Sequence, residues 1–207
     1  MKHLVLGMST RKGTAVFLSD ILNEAQERML EKMQNTSTTK VTDNLSEVAE
    51  TLGISAVFIN DLKEKKTKDY EFSWESALQN SGNSGIKLQY SHSRLNSLLE
   101  VNSHIKIPED ISTLNFELLS EPEAIKLVLK LAQFDENLAL SYRQLEPSIL
   151  VKYLFGLCSD ISRAIKVLTV KGSDEETAVL RLILFTVSKK VLNHGMCILG
   201  LKPLEKM

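Results

Sequence analysis

"ILVKYLFGLCSDISRAIKVL", residues 149–168, carries Leu150, Leu154, Leu157, Ile161, Ala164 and Leu168 at alternating spacings of four and three. A strand would need its apolar residues at every second position, whereas this spacing lays six of them along one stripe of a helix. Such a stripe must be buried against another element, and the flanking segments supply helices to do it. Downstream, Ser173-Asp174-Glu175-Glu176 reads as a capping box that opens a helix through Leu180, Leu184, Val187 and Val191, ending at Gly200. Upstream, Ser120 to Glu123 reads as another capping box with Pro122 in the first turn, ahead of an apolar stripe of Ile125, Val128, Leu129 and Ala132.

The first half is patterned in the same way. Ser19 is a candidate N-cap for a helix with Ile21, Ala25, Met29 and Met33 on one face. Leu45, Val48, Ala49 and Leu52 suggest a short helix that Gly53 ends, and Ile54, Val57, Phe58 and Leu62 begin another. Leu88, His92, Leu95 and Leu99 share a further helical face. Only "HLVLG", residues 3–7, resembles a strand, and there is no internal repeat, so the expected fold is an all-α helical bundle. Residues 101–120, with Pro108 and no sustained period, read as a connection between two units, 1–105 and 115–207.

Composition sets limits on function. The 207 residues are 43% hydrophobic with a net charge of -1, enough for a real core and without the global basic field that drives indiscriminate nucleic-acid or DNA binding. The charge is unevenly placed: residues 101–142 hold 3 Lys/Arg against 7 Asp/Glu, while residues 143–207 hold 10 against 6. The last helices therefore offer either a basic face for phosphates or an ordinary solvated surface. Cys158 and Cys197 lie far apart in apolar stretches and are both expected to be buried thiols, with no metal-ligand spacing. No apolar run approaches the ~20 residues that cross a bilayer, and "MKHLVLG" has neither a secretory apolar region nor an arginine-rich transit helix.

Between the strand-like run and the first helix stand Ser9, Thr10, Arg11 and Lys12. Hydroxyls and cations on a loop suit an anion such as phosphate, but no P-loop signature is present, and a lone basic loop is equally a solvated surface.

The wording of this stretch is more specific than its chemistry. "MSTRKGTAVFLSDIL" resembles the variant KMSKS segment of arginyl-tRNA synthetases. "LGISAVFINDLK", "YEFSWESAL", "GNSGIKLQYSHSRLNSLL", "EPSILVKYLFGL" and "VLNHGMCILGLKPLEKM" are similar to successive blocks of the same family, in its order. The eukaryotic cytosolic and mitochondrial enzymes are the nearest pattern. The resemblance implies the helical end of a class I synthetase catalytic domain over residues 1–105, followed over residues 115–207 by a DALR-type anticodon-binding bundle. No H-x-G-H sequence occurs, so the chain reads as the C-terminal portion of an arginine–tRNA ligase, inactive alone. A stand-alone, non-catalytic RNA-binding or regulatory module derived from a synthetase is the alternative, and a helical protein-interaction domain a third.

The same resemblance implies the sites. Ser9, Thr10, Arg11 and Lys12 would form the loop that closes over ATP and stabilises the leaving pyrophosphate. Gly7 stands where the standard signature has a lysine. Tyr70 would meet the tRNA acceptor end, while Phe134, Tyr153, Arg181 and Met207 with its carboxylate, helped by Lys189, Lys190 and Lys206, would read the anticodon loop. For Arg181, flanked by Leu180 and Leu182, an ion pair within the bundle is the competing reading. For His92, in the block with Gly82, Asn83, Gly85, Gln89, Tyr90 and Arg94, a packing role competes with acid–base work. The implied partners are tRNA(Arg), with L-arginine and ATP accompanied by Mg2+ as substrates of the whole enzyme. No bound metal, prosthetic group, DNA or membrane is implied, the expected state is a monomer, and the compartment is the cytoplasm or the mitochondrial matrix.

Overall fold

The computed structural model describes residues 17–36, 44–79 and 82–207. The strand-like run at residues 3–7 and the candidate ATP loop at residues 9–12 lie outside them. Among the described residues every regular element is helical. These are α1 (Leu18–Gln34), α2 (Leu45–Leu62), the short α3 (Trp74–Ala77), α4 (Gly85–Val101), α5 (Pro122–Ala132), α6 (Phe134–Arg143), α7 (Pro147–Val167) and α8 (Glu175–Ile198). Two 3₁₀ turns, Ile111–Thr113 and Phe116–Leu118, occupy the connection before α5.

The stripe that sets the fold is buried as its spacing requires. Leu150, Leu154, Leu157, Ile161, Ala164 and Leu168 join a core with Leu182, Phe185, Leu192 and Met196 of α8, Ala124 and Leu127 of α5, Phe134 of α6 and Leu88 and Leu95 of α4. A second cluster is built from Met29 and Met33 of α1, Val48, Ala49, Leu52 and Ala56 of α2, Leu78, and Ile86 of α4. α4 therefore belongs to both.

Several local expectations are corrected. α1 is capped by Phe17 rather than Ser19, with the Phe17 N–H donating to the Asp20 carboxylate at 3.3 Å. α2 is one helix, not two. Gly53 does not end it, because a Cβ there would come within 2.8 Å of the Ala25 backbone, so the glycine permits α1 to cross closely. The caps at α5 and α8 fall one residue later than expected, at Glu121 and Asp174, and the Asp174 side chain accepts from the Thr177 N–H. On α5 the buried face is Ala124 and Leu127, while Ile125, Val128 and Leu129 are exposed. Cys158 is buried and its thiol is pushed up to about 11, chiefly by burial, but Cys197 is exposed on α8.

α8 ends in a Schellman turn. Gly200 takes φ +78, its N–H donates to the Cys197 carbonyl at 2.9 Å, and the Leu201 N–H donates to the Met196 carbonyl at 3.0 Å. A residue with a Cβ would be strained at that φ. The turn sends residues 201–207 back across α4.

Candidate nucleic-acid interface

Phe134 opens α6, Tyr153 lies nearly two turns into α7, and His194 stands near the end of α8. The fold brings the three rings together, Phe134 5.8 Å from Tyr153 and 5.8 Å from His194 between centroids. The Tyr153 hydroxyl donates to the Lys130 carbonyl at 2.9 Å, and the Lys130 ammonium sits 5.7 Å from the Tyr153 ring centroid. Burial, with a smaller push from the Asp135 charge, raises the Tyr153 phenol to about 12, so it stays a neutral donor. Tyr153 and Phe134 are only 5% and 9% exposed, so these rings form the floor of the patch, not a free stacking platform. What the patch presents to solvent comes from His194 and from Lys190, one turn apart on α8. His194 and Lys130 were not singled out from the sequence. The signal available was the four-residue step from Lys190 to His194.

Arg181 takes the structural alternative. Its guanidinium pairs with Glu121 at the start of α5 and donates to the Thr169 carbonyl at 2.5 Å and the Ser173 hydroxyl at 2.6 Å, tying α8 to α5 and to the turn before α8. Burial tends to raise the Glu121 carboxyl, but the hydrogen bond and charge of Arg181 outweigh it and hold the group below 4.5. Glu121 Oε2 and Arg181 Nε remain buried without a partner. Removing one member of so desolvated a pair leaves the other's charge uncompensated. Arg181→Ala should therefore cost about 2–3 kcal/mol, somewhat less than a fully buried pair, read as a drop of roughly 5–10 °C in Tm. Because the folded carboxyl is depressed, this stability is present above about pH 4.5 and is lost as the pH falls through the lower folded value. The gap between parent and variant should narrow as the pH falls through that window, and a gap that never narrows before the parent itself unfolds in acid would show that the ionised pair is not its source.

The other expected residues are scattered. Tyr70 is half-buried, and its hydroxyl donates to Asp61 at 2.7 Å, with burial foremost in raising the phenol. Lys189 is turned towards α4, donating to Asn96 Oδ1 at 2.5 Å, whereas Lys190 is exposed. Lys206 lies 4.0 Å from Glu100. Met207 packs against the α1–α2 cluster. His92 is 1% exposed: its Nδ1–H donates to the Leu204 carbonyl at 2.8 Å, and Nε2 accepts from Asn193 at 3.2 Å. Burial, reinforced by Lys189, keeps this imidazole below 6.5 despite the Leu204 carbonyl and Glu205, which is the environment of a packing histidine. No group of three or more His, Cys, Asp or Glu among the described residues is arranged to hold a metal ion, and no helix among them is long and apolar enough to cross a membrane.

The all-helical architecture has counterparts among known proteins. The DALR anticodon binding domain profile matches residues 88–207, more than half of the chain, and the class I (R) tRNA synthetase catalytic domain profile matches residues 4–74. The chain belongs to the DALR anticodon-binding family. It is 44% identical over 205 residues to the probable cytoplasmic arginine–tRNA ligase of Dictyostelium discoideum, covering 99% of this chain and 34% of that protein. It is 43% identical to the cytoplasmic and 39% to the mitochondrial arginine–tRNA ligase of Saccharomyces cerevisiae, again over 99% of this chain and 34% and 32% of theirs. The chain thus spans about a third of the length of these relatives. Among solved structures, the arginyl-tRNA synthetase of Plasmodium falciparum superposes with a TM-score of 0.81 at 27% identity, over 93% of this chain and 34% of that one. The Thermus thermophilus arginyl-tRNA synthetase gives 0.82 at 24% identity, a likeness of fold alone.

Proposed function

We propose that this chain supplies the ATP loop and the anticodon-binding bundle of an arginine–tRNA ligase. In that reaction arginine is activated by ATP with release of pyrophosphate, and the arginyl group is then transferred to tRNA(Arg). The observation that carries the reading is the unbroken similarity to arginine–tRNA ligases over 99% of the chain, with the DALR match on the bundle. In this reading residues 1–105 complete the catalytic domain, and residues 115–207 read the anticodon. Ser9, Thr10, Arg11 and Lys12 supply hydroxyls and cations for the phosphates of ATP, whose Mg2+ neutralises part of their charge. Tyr70 meets the acceptor end of the tRNA. Lys190 and His194 hold phosphates over the floor of Phe134 and Tyr153 with Lys130 beside them, Lys206 holds one elsewhere on the surface, and Arg181, Lys189 and Met207 keep in place the helices and tail that carry these groups. The protein acts as a monomer in the cytoplasm or the mitochondrial matrix.

Binding of tRNA(Arg) to the 207-residue chain tests this directly. Bases splayed from a loop are recognised by stacking and by hydrogen bonds to their edges, for about 1–3 kcal/mol each. A tRNA(Arg) transcript should therefore bind about 5- to 150-fold more tightly than the same transcript with an exchanged anticodon, at one fixed salt concentration. Equal affinities would reduce the bundle to a non-specific polyanion binder and remove the anticodon from the reading.

A further inference from the structure

Residues 201–207 are held along α4 by side chains that pair with their main chain in register. Gln89, fully buried, uses both ends of its amide: Nε2 donates to the Lys202 carbonyl and to Ser55 Oγ of α2, each at 2.9 Å, and Oε1 accepts the Leu204 N–H at 2.8 Å. Further along the same helix face, His92 donates to the Leu204 carbonyl and Asn96 to the Glu205 carbonyl at 3.3 Å. α8 braces both from the other side, Asn193 against His92 and Lys189 against Asn96. The carbonyls of Lys202, Leu204 and Glu205 and the Leu204 N–H are thus satisfied by a stripe of side chains on a helix.

The two ends of this segment lie in different cores. Leu199 and Leu201 belong to the α7–α8 core, whereas Leu204 and Met207 pack on the cluster of Met29, Met33, Val48 and Leu52, and Lys202 pairs with Glu47 of α2 at 2.8 Å. That second cluster is the seat of α1, the first described helix after residues 9–12 in sequence. Trp74 packs on it as well, 5.1 Å from the Arg28 guanidinium of α1.

We infer that residues 201–207 are a strap that carries the position of the α7–α8 bundle to the seat of α1, with Gln89 as its positioning residue. The physical basis is contiguity: Gln89, His92 and Asn96 hold the segment's main chain on α4, and Asn193 and Lys189 of α8 brace two of them, so any shift of α8 and α4 together relative to α1 moves Leu204 and Met207 across Met29 and Met33. The consequence for catalysis rests on the function proposed above, since only then is the loop preceding α1 the one that meets ATP. The strap itself does not depend on that reading.

Trp74 is the single tryptophan of the chain and reports on the α1 seat. Gln89→Leu removes all three hydrogen bonds of the amide, and Leu204→Ala loosens the strap while leaving every α4 side chain and its hydrogen bonds to the segment's main chain in place. In both variants we expect Trp74 emission to move to longer wavelength and amide exchange in α1 to rise by about tenfold, while α7 keeps its protection. The double variant should exceed neither single variant, because both act through one element. Gln89→Glu should behave like Gln89→Leu near neutral pH and recover in part on acidification, when its carboxyl can accept the Leu204 N–H and donate to the Lys202 carbonyl but has no second proton for Ser55. Unchanged α1 exchange and unchanged emission in Gln89→Leu and Leu204→Ala alike would overturn the strap. With tRNA(Arg) added, the parent chain should show an emission change that Leu204→Ala loses although it still binds the RNA. Binding by the parent without any emission change would overturn the coupling and leave the proposed function standing. A parent that does not bind at all would end the functional reading, while the exchange comparison still decides the strap.

Discussion

Gly85→Ala should destabilise the chain by about 3 kcal/mol, at or above the upper end of the usual cost of overpacking a core. Gly85 is the first residue of α4, following the Ser84 cap whose hydroxyl accepts the Lys87 N–H at 3.3 Å. A Cβ there would fall inside the Ser55 carbonyl of α2. The obstacle is main chain, so no rotamer change relieves it, and α4 must back away from α2. The shift would also spoil the Gln89 to Ser55 hydrogen bond one turn on. Gly156→Ala is the control: its Cβ would meet only the flexible end of Lys130, at 3.7 Å and beyond. In the middle of α7 that change should stabilise by about 0.5–1 kcal/mol, since alanine loses less backbone entropy than glycine. Guanidinium unfolding of the two variants beside the parent decides the matter. A Gly85→Ala chain as stable as its parent would mean that α4 is not clamped on α2.

The contrast between these two glycines also marks what could be read from sequence. The stripes of α1 and α7 were legible because their three- and four-residue steps persist along the whole helix, although Val151, Tyr153, Phe155 and Cys158 widen the buried face of α7 beyond its stripe. α5 was not: Ala124, Ile125, Leu127, Val128, Leu129 and Leu131 make two overlapping stripes, and periodicity cannot choose between them. Packing chose the one with the small Ala124, and left Ile125, Val128 and Leu129 in solvent. Gly53 misled for a related reason. A glycine between apolar runs resembles a helix stop, but close helix crossing demands glycine just as a turn does, and only the position of α1 separates the two. The strap was illegible in principle. Gln89 meets Leu204 across 115 residues, and side-chain capture of a main chain places no demand on the captured residues' identity. Of the candidate site, the residue chemistry alone suggested an anion-binding loop and a basic end. Their assignment to ATP and an anticodon came from resemblance, which the family and relative matches bear out at the level of the family.

The largest functional effect is expected from residues 9–12. This chain, grafted in place of the matching third of the Saccharomyces cerevisiae cytoplasmic relative, should support arginine activation, and Arg11→Ala with Lys12→Ala should lower its rate by about ten- to a thousandfold. The reasoning is electrostatic: the leaving pyrophosphate gains charge as the bond to the α-phosphorus breaks, and donors fixed beforehand stabilise that charge more than they stabilise bound ATP. Loss of one such donor costs on the order of 10²–10³ in rate. The deficit should therefore appear in kcat, with the KM for ATP changed far less, since an interaction made mainly in the transition state contributes little to ground-state binding. Affinity for tRNA(Arg) should be little altered, because the candidate RNA contacts on α8 lie in a different part of the sequence from residues 9–12. Burst-phase measurement of arginyl-adenylate formation separates these terms. A grafted enzyme that activates arginine at its full rate without both cations would place Arg11 and Lys12 in solvent. A loss confined to KM would make them ground-state anchors for the phosphates, not stabilisers of the departing one.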